Sequence, residues 1–263
     1  MYDVIIQDIV DKKIEVLYNN DKISLPLNIQ EQIENYWLKI LKDGKVLRRG
    51  DVFGISVAET RNSKINIEVK LTDYAHYIAT LNNIIDKKYW CKVIYTAALV
   101  ETLDKKIIIG EMGPDTSTPG RLQFPGGGID KDDLEKNNIN LKKNISKEIK
   151  EELGIDINYK EYTSYFKPHF LKTGGTHDFY AVIFKVELNL DQNKFIKLYN
   201  NYTETLKLKN ITPEFNSLLF INNDPEEIVK FLGNNNQSKV DYLLSLLHIL
   251  KMDNKYRNFK NYI

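Results

Sequence analysis

The stretch "ISKEIKEELGI", residues 145–155, places three glutamates close together on what its apolar spacing predicts to be a helix. Glu148 and Glu152 are one turn apart, and Glu151 lies beside Glu152. Like charges at this spacing repel on a helix surface by roughly 0.2–0.5 kcal/mol per pair. A divalent cation would remove that repulsion, and Mg²⁺ takes carboxylate oxygens together with waters and phosphate-bearing substrates. The glutamates are therefore candidate metal ligands.

A glycine-rich turn precedes the acidic helix. The segment "RLQFPGGGID" ends a predicted strand and carries three consecutive glycines at 126–128. A stretch without side chains lets backbone groups approach a ligand or a metal closely. The polar segment "DKDDLEKNN" follows, after which Asn138 or Asn140 is expected to cap the helix and Gly154 to end it.

Composition and charge narrow the class of protein. The chain has 263 residues, of which 42% are hydrophobic and 28% charged, as in a globular protein with ample core material. The net charge of +1 provides no global field for nucleic acid or an anionic membrane. No apolar run approaches the roughly 18 residues of a membrane span, and the N-terminus does not resemble a signal peptide. With Cys91 expected to be buried and inert, the sequence predicts a cytoplasmic protein.

The chain changes character near residue 90. Residues 1–90 carry short strands and two helices, the first with Asn28 as its expected N-cap and the second with Thr72 or Asp73. Longer strands follow, in "CKVIYTAALVETL" and "KKIIIGEM". We therefore expect an N-terminal α+β domain over 1–90 and a second domain over 91–263. No Gly/Ser-rich linker separates them, so the two should pack together.

Together the glycine turn and the acidic helix resemble the signature of the Nudix hydrolase family, G-x5-E-x7-R-E-U-x-E-E-x-G-U, in which U is aliphatic. The second half of the signature matches from Glu148 to Ile155 with every specified position filled. The order of strands and the closing helix agree with the family fold over residues 92–250. The resemblance implies an α/β protein, a Nudix-type α/β/α sandwich with a smaller α+β N-terminal domain.

The sequence departs from the signature in two places. Lys147 replaces the arginine, which keeps the charge but loses the guanidinium fork. About 19 residues separate Gly127 from Lys147, where the signature has 13; read without a gap, the isolated glutamate position falls on Ile139. If the additional residues belong to the polar segment, the candidates for the missing carboxylate lie there: Asp130, Asp133 and Glu135.

The resemblance implies hydrolysis of a nucleoside diphosphate linked to another moiety, with Mg²⁺ or Mn²⁺ required. Metal ions neutralise the diphosphate and lower the pKa of a water molecule that can then attack at neutral pH. Lys147 would neutralise and orient the neighbouring carboxylates. The implied metal ligands are three glutamates and a backbone carbonyl: Glu148, Glu151, Glu152, and Gly126 or Gly127.

More than one glutamate is a candidate for the general base. Glu148 or Glu152 could act as base, or the base could come from "NITPEFNSLLFI", which places Glu214 ahead of a predicted strand. Glu204 is a weaker candidate.

Other side chains could contact the substrate. His169 and His177 flank the segment "FLKTGGTHDF", a glycine-containing loop. Arg48, Arg49 and Arg121 lie near predicted strand ends or loops and could hold phosphate through two hydrogen bonds. For Arg48 and Arg49, the solvated surface is the favoured interpretation.

The N-terminal pattern "WLKILKDGKVLRRGDVFGI…LTDYAHYIAT" resembles the UDP-glucose/UDP-galactose diphosphatase branch of the family. It implies a nucleotide-sugar diphosphatase that forms a nucleoside monophosphate and a sugar phosphate. Two alternatives stay open: a pyrophosphatase for ADP-ribose or another nucleoside diphosphate derivative, and a non-catalytic Nudix fold that binds a nucleotide. The expected partner is a small molecule. Nudix enzymes often dimerise, so the N-terminal region could also supply a homodimer interface.

Overall fold

The computed structural model describes residues 3–234 and 236–260, with side chains up to residue 252. Both predicted domains contain residues outside the described part, namely 1–2 in the first and 235 and 261–263 in the second. The strands are β1 Val4–Asp8, β2 Lys13–Lys22, β3 Asp51–Arg61, β4 Lys64–Asp73, β5 Ile94–Glu101, β6 Lys106–Met112, β7 Leu122–Gln123, β8 Leu134–Glu135, β9 Asn138–Ile139, β10 Thr163–Gly174, β11 Tyr180–Leu188 and β12 Phe215–Asn222. The α-helices are α1 Leu27–Lys42, α2 Tyr74–Leu81, α3 Leu141–Leu153, α4 Gln192–Leu208, α5 Pro225–Gly233 and α6 Asp241–Lys260.

The larger sheet runs in the order β1-β10-β11-β5-β6-β12, with β7 beside β6. Its centre is the parallel pair β11 and β5, and antiparallel strands flank that pair. Residues of β5 alternate between two cores, as the period of a strand requires. Ala98 and Val100 face one core, whereas Ala97 and Leu99 face the other.

Helices cover both faces of this sheet. On one face the apolar stripe of α3, formed by Ile145, Ile149 and Leu153, is buried against the strands. On the other face α6 buries its leucines together with a residue of α5. The predicted α/β/α sandwich is therefore confirmed, because helix, sheet and helix form three layers around two cores.

The smaller sheet has the order β3-β4-β2-β9-β8, and α1 packs against α2 in a third apolar cluster. Two features of its strand pairing were not expected. β1 leaves the N-terminal region and pairs with β10 of the larger sheet. In return β9 pairs with β2, through Leu17 and Asn138. The two regions therefore exchange strands, and the boundary near residue 90 stays a prediction.

The helix caps agree with the sequence in three cases and differ in one. The side chains of Asp73 and Asn140 accept hydrogen bonds from backbone N–H groups in the first turns of α2 and α3, and Gly154 ends α3 at φ 71°. The prediction for Asn28 was wrong. The N-cap is Pro26 and helix α1 begins at Leu27, two residues earlier than expected, because the Pro26 carbonyl already accepts the first helical hydrogen bonds.

Four features were not predicted. Helix α4 lies between β11 and β12, and helix α5 lies between β12 and α6. The polar segment after the glycine turn contains a short 3₁₀ turn and the β8–β9 hairpin. Within the described residues, no helix combines the length and the apolar character that crossing a membrane requires.

Candidate active site

The glycine turn follows β7 and lies against β5. The N–H groups of Ala98 and Thr96 donate to the carbonyls of Pro125 and Gly127, at 2.7 and 3.1 Å. Gly126 has φ +150°, and a Cβ there would lie 2.2 Å from the Thr96 carbonyl oxygen. A side chain at residue 126 would therefore push the turn away from the sheet.

Helix α3 directs Glu152 at this turn. The Gly126 N–H donates to Glu152 Oε2 at 2.7 Å. Glu152 is only 3% exposed, and its other oxygen, Oε1, is buried without a hydrogen-bond partner. A buried polar atom that lacks a partner costs roughly 1–3 kcal/mol, and more if it is charged. The position of Glu152 thus suits a ligand that would contact Oε1.

Glu148 lies one turn earlier on α3 and packs against the next glycine. A Cβ on Gly127 would lie 2.5 Å from Glu148 Oε2, so the absence of a side chain leaves room for this carboxylate. The third carboxylate, Glu214, precedes β12 and is held by its own backbone, because the Gly113 N–H donates to the Glu214 carbonyl at 2.7 Å. Residues that are distant in sequence thus converge at the glycine turn.

Burial and mutual repulsion raise the pKa of all three carboxyls. Burial raises the pKa of Glu148 to about 7, in spite of the opposing charge of Lys147. The pKa of Glu152 is raised further, first by burial and then by the charge of Glu214, against the hydrogen bond from Gly126. Burial and the Glu151 charge raise the pKa of Glu214. At Glu148 the effect of burial therefore outweighs the charge of the neighbouring lysine.

Glu151 occupies a different position from the other two helix glutamates. Its residue is exposed, and its backbone carbonyl accepts a hydrogen bond from the Tyr202 hydroxyl at 2.6 Å. Its charge still acts on Glu148, Glu152 and Glu214. In the part of the chain with described side chains, no three His, Cys, Asp or Glu residues are gathered as a metal would require. The predicted set of metal ligands therefore stays a prediction.

Lys147 lies at the signature's arginine position and has more than one acidic neighbour. Its Nζ is 2.6 Å from Asp130, 3.7 Å from Glu148 and 3.8 Å from Asp133. Its short hydrogen-bonded contact is thus with the polar segment, and the helix glutamate is a longer-range neighbour.

Asp133 is the best placed of the three candidates for the missing carboxylate. Its side chain is fully buried, and Oδ2 accepts from the Asp130 N–H at 3.0 Å and from Asn144 Nδ2 at 2.8 Å. By contrast, Asp130 is half exposed and Glu135 is an exposed partner of Asn140. The sequence left these three open, and burial distinguishes them.

Asn144 is a site residue that the sequence analysis missed. It is fully buried on α3, where its amide donates to the Gly128 carbonyl at 2.9 Å and its Oδ1 accepts from the Thr96 hydroxyl. It therefore joins helix, glycine turn and strand. The available signal was its spacing, since Asn144 is one turn before Glu148 on the same side of the helix.

A cleft of about 1190 Å³ opens above the glycine turn. Glu214 and the three glycines line it from the larger sheet, and Tyr74 and Tyr77 line it from the N-terminal region. The Tyr77 ring stacks on Phe179, with the centroids 5.7 Å apart. The cleft is therefore built by both regions of the chain.

Of the remaining residues predicted to contact substrate or act as base, some line the cleft and others do not. His177 and Arg121 line the cleft. Arg49 instead joins α1 to the start of α2, through Glu34 at 2.6 Å and Asp73 at 2.8 Å, and is not simply solvated. The rest lie away from the cleft lining: Arg48 and Glu204 are exposed, the latter on α4, and His169 is on β10.

Neither a protein-family model nor a curated protein sequence matches the chain, but solved structures do. A MutT protein from Methanosarcina mazei is 13% identical; the match covers 62% of this chain and 96% of the other, with a TM-score of 0.39. A Nudix hydrolase from Nitrosomonas europaea is 13% identical over 64% and 90%, with a TM-score of 0.35. The Nudix domain of Shewanella oneidensis NrtR, complexed with ADP ribose, is 12% identical over 65% and 94%, at 0.35. At such TM-scores, these likenesses carry no argument about activity.

Proposed function

We propose that this protein is a cytoplasmic, divalent-cation-dependent hydrolase of the Nudix type. It would cleave the diphosphate of a nucleotide sugar such as UDP-glucose into a nucleoside monophosphate and a sugar phosphate. The observation that carries the proposal is the buried carboxylate of Glu152, whose Oε1 has no partner, next to Gly126, which lines a large cleft together with Glu214.

The residues at this position suit a hard cation. Carboxylate and carbonyl oxygens are the ligands that Mg²⁺ and Mn²⁺ take in proteins, and a cation at Glu152 would supply the contact that Oε1 lacks. Glu148 and Glu152 would be its principal ligands. Glu151 and a glycine carbonyl at 126 or 127 complete the proposed set. When bound, the cation neutralises phosphate oxygens and makes a water molecule more acidic.

The protein's own groups have distinct tasks in this scheme. The Gly126 N–H fixes the orientation of Glu152, and Asn144 holds the turn against the helix. We favour Glu214 as the general base. Of the three carboxyls whose pKa is raised, it is the one that lines the cleft. It would accept the proton of the water that attacks one phosphorus of the diphosphate. The bond from that phosphorus to the bridging oxygen would break, and the other phosphate would leave with that oxygen.

The cleft suits a ligand larger than a simple phosphate ester. Its volume of about 1190 Å³ exceeds the usual range of small-molecule sites, which is roughly 300–1,000 Å³. The rings of Tyr77 and Phe179 provide aromatic surface of the kind on which bases stack. The contribution of the N-terminal region to this surface supports a role for that region in substrate choice.

The test is hydrolysis of a panel that contains UDP-glucose, UDP-galactose and ADP-ribose, each with Mg²⁺ or Mn²⁺. Phosphate release after phosphatase coupling reports the products, and ¹⁸O-water identifies the phosphorus that is attacked. We expect Glu152→Gln to lower kcat by at least about 100-fold, since even the outer partners of metal ligands contribute about 10- to 100-fold. KM should change far less, because the lost interaction acts mainly in the transition state. Glu161→Gln, at an exposed site, is the matched control.

Different outcomes would redirect the proposal. Turnover of ADP-ribose without turnover of either UDP-sugar would assign the chain to another nucleoside diphosphate derivative. Tight binding of one compound with no turnover of any would favour a nucleotide-binding protein. An unchanged kcat in Glu152→Gln would remove Glu152 from the mechanism.

A further inference from the structure

Arg121 is a cation without a counter-charge in the wall of the cleft. It immediately precedes β7, and one terminal nitrogen donates to Gln123 Oε1 at 2.8 Å. Its Nε is buried and has no hydrogen-bond partner. Among residues 3–234 and 236–252, no carboxylate forms an ion pair with Arg121. Because a guanidinium stays protonated, its charge is left without compensation.

A second cation of the cleft shows the contrast. Lys172 is 1% exposed, and its Nζ lies 2.7 Å from Asp241 and donates to the Phe179 carbonyl at 3.0 Å. Lys172 thus has a carboxylate partner, whereas the half-buried Arg121 has only the Gln123 amide oxygen and no carboxylate among the described side chains. A half-buried guanidinium without a counter-charge is available to an anionic ligand.

A second unpartnered group lies in the same loop. The Arg121 N–H donates to the Thr118 carbonyl at 3.2 Å, which fixes the two residues relative to each other. The Thr118 Oγ1 is buried without a partner, and Thr118 also lines the cleft. A hydroxyl and a guanidinium nitrogen in one loop are two donors available to one ligand with several acceptor oxygens.

Three tyrosines line the cleft together with Arg121: Tyr77, Tyr95 and Tyr242. Burial raises the pKa of Tyr77 to about 12, and the Arg121 charge acts against that rise. The same charge opposes the rise in the pKa of Tyr95 and Tyr242, which burial also causes. The charge of Arg121 thus acts on buried groups of the cleft, where a contact with an anion is stronger than in water.

We propose that Arg121 and Thr118 form an anion subsite of the cleft, which holds a phosphate group of the bound ligand. The guanidinium presents its nitrogens to the phosphate oxygens, and the Thr118 hydroxyl donates to one of them. The assignment rests on the proposed function in one respect: it places the phosphate of the same substrate. Binding itself requires neither a metal ion nor hydrolysis.

The test observes Arg121 directly in the full-length protein, with chelator present and no divalent cation. Arginine Nε–H signals in ¹H–¹⁵N spectra are followed during addition of UMP, pyrophosphate or uridine. Arg121→Lys identifies the Arg121 signal by its disappearance. We expect that signal to shift with UMP and pyrophosphate and to stay unchanged with uridine. Arg61→Lys, on the exposed end of β3, is the matched control and should leave the response intact.

Calorimetry provides the second readout. Arg121→Gln should weaken UMP binding by roughly tenfold or more, the range of a lost charge-assisted hydrogen bond, and leave uridine binding unchanged. Thr118→Val, which keeps the shape of the side chain, should weaken UMP binding less, and thermal melting checks that both variants fold. The proposal is overturned if neither phosphate compound shifts the Arg121 signal, or if uridine shifts it equally. A response without any hydrolysis would keep this subsite while removing the proposed reaction.

Discussion

Carboxylates lie on two sides of helix α3, and their surroundings differ. On the side of the polar segment, Asp133 accepts from a backbone N–H and from Asn144, and Lys147 contacts Asp130 at 2.6 Å. On the side of the glycine turn, Glu152 accepts from Gly126 alone and has an oxygen without a partner. One oxygen of each buried carboxylate, Asp133 Oδ1 and Glu152 Oε1, lacks a hydrogen-bond partner. Asp133 nevertheless has two donors on its other oxygen and the Lys147 ammonium 3.8 Å away, whereas Glu152 has one donor and, among the described side chains, no ion pair.

The pKa directions describe the same difference. Burial would raise the pKa of Asp130, but the hydrogen bond and charge of Lys147 outweigh it and lower that pKa. Burial of Glu148 prevails over the same lysine and raises the pKa to about 7. Acidic composition alone therefore does not identify a site. What distinguishes the glycine-turn side is a group of carboxyls whose pKa is raised by burial, one of which, Glu152, has a single donor and no lysine or arginine paired with it among the described side chains.

The largest effect is expected from removing the hydrogen bonds that Asn144 makes to Asp133 and to the glycine turn. Asn144→Leu removes the donor to Asp133 and the contact with the Gly128 carbonyl, and it leaves a buried carboxylate with fewer partners. Each buried polar atom left without a partner costs about 1–3 kcal/mol, so the free energy of unfolding should fall by at least that amount. Urea unfolding followed by circular dichroism measures it. Asn200→Leu, at an exposed position of α4, is the matched control.

The same urea unfolding, in metal-free protein, is measured for Glu152→Gln. Because Glu152 gains little from its surroundings as a charged group, neutralising it should leave stability unchanged or raise it. If Asn144→Leu and Glu152→Gln destabilised the protein equally, the two sides of α3 would not differ as we argue.

The sequence predicts much of this site because the local signals are strong. The stripe of Ile145, Ile149 and Leu153 predicts which face of α3 is buried, and Asn140 and Gly154 predict its ends. The same period could also have separated the glutamates. Glu148 and Glu152 each lie three residues after an isoleucine of the stripe, whereas Glu151 lies two after Ile149 and is exposed.

The parts that the sequence did not predict depend on long-range pairing. Alternating residues predict which face of a strand is buried but not which strand lies beside it. For that reason the placement of β1 next to β10, and of β9 next to β2, could not be read from local patterns. The cleft depends on these pairings, since its walls come from both regions. Asp133 was accessible, because counting six residues forward from Gly127 gives the signature's glutamate position.

A smaller effect is expected in the pH dependence of stability, through the carboxyl of Glu148. The folded pKa of Glu148, about 7, lies above the value of 4.5 for a free glutamate, so the folded state binds more protons between these pH values. Stability of the metal-free protein should therefore fall as pH rises from about 4.5 through 7. Glu148→Gln stays neutral. At pH 8 it should be more stable than the natural protein by about 1–3 kcal/mol, and near pH 4 the two should be equal.

Thermal and urea unfolding in chelator, from pH 4 to 8, measure that difference. Glu161→Gln, at an exposed site, should show no such window. Addition of Mg²⁺ at pH 8 should stabilise the natural protein and not Glu148→Gln. If Glu148→Gln were less stable than the natural protein at pH 8, the surroundings of Glu148 would stabilise its charged form, contrary to the prediction.

The smallest effect is expected at the pair formed by Lys147 and Asp130. Both side chains are partly exposed, at 30% and 52%, so their coupling in a double-mutant cycle of Lys147→Met and Asp130→Asn should be about 0.2–1 kcal/mol and should weaken in high salt. Asp130→Asn keeps an oxygen that can accept from the Asp132 N–H, so the short turn should persist. Hydrolysis then distinguishes the two roles of Lys147. If its main contact is with the polar segment, Lys147→Met should retain kcat within about tenfold, because Glu148 is 3.7 Å away and stays in place against Gly127. A loss as large as that of Glu152→Gln, with little change in stability, would instead assign Lys147 to the glycine-turn side, where its charge would act on Glu148 in place of the signature's arginine.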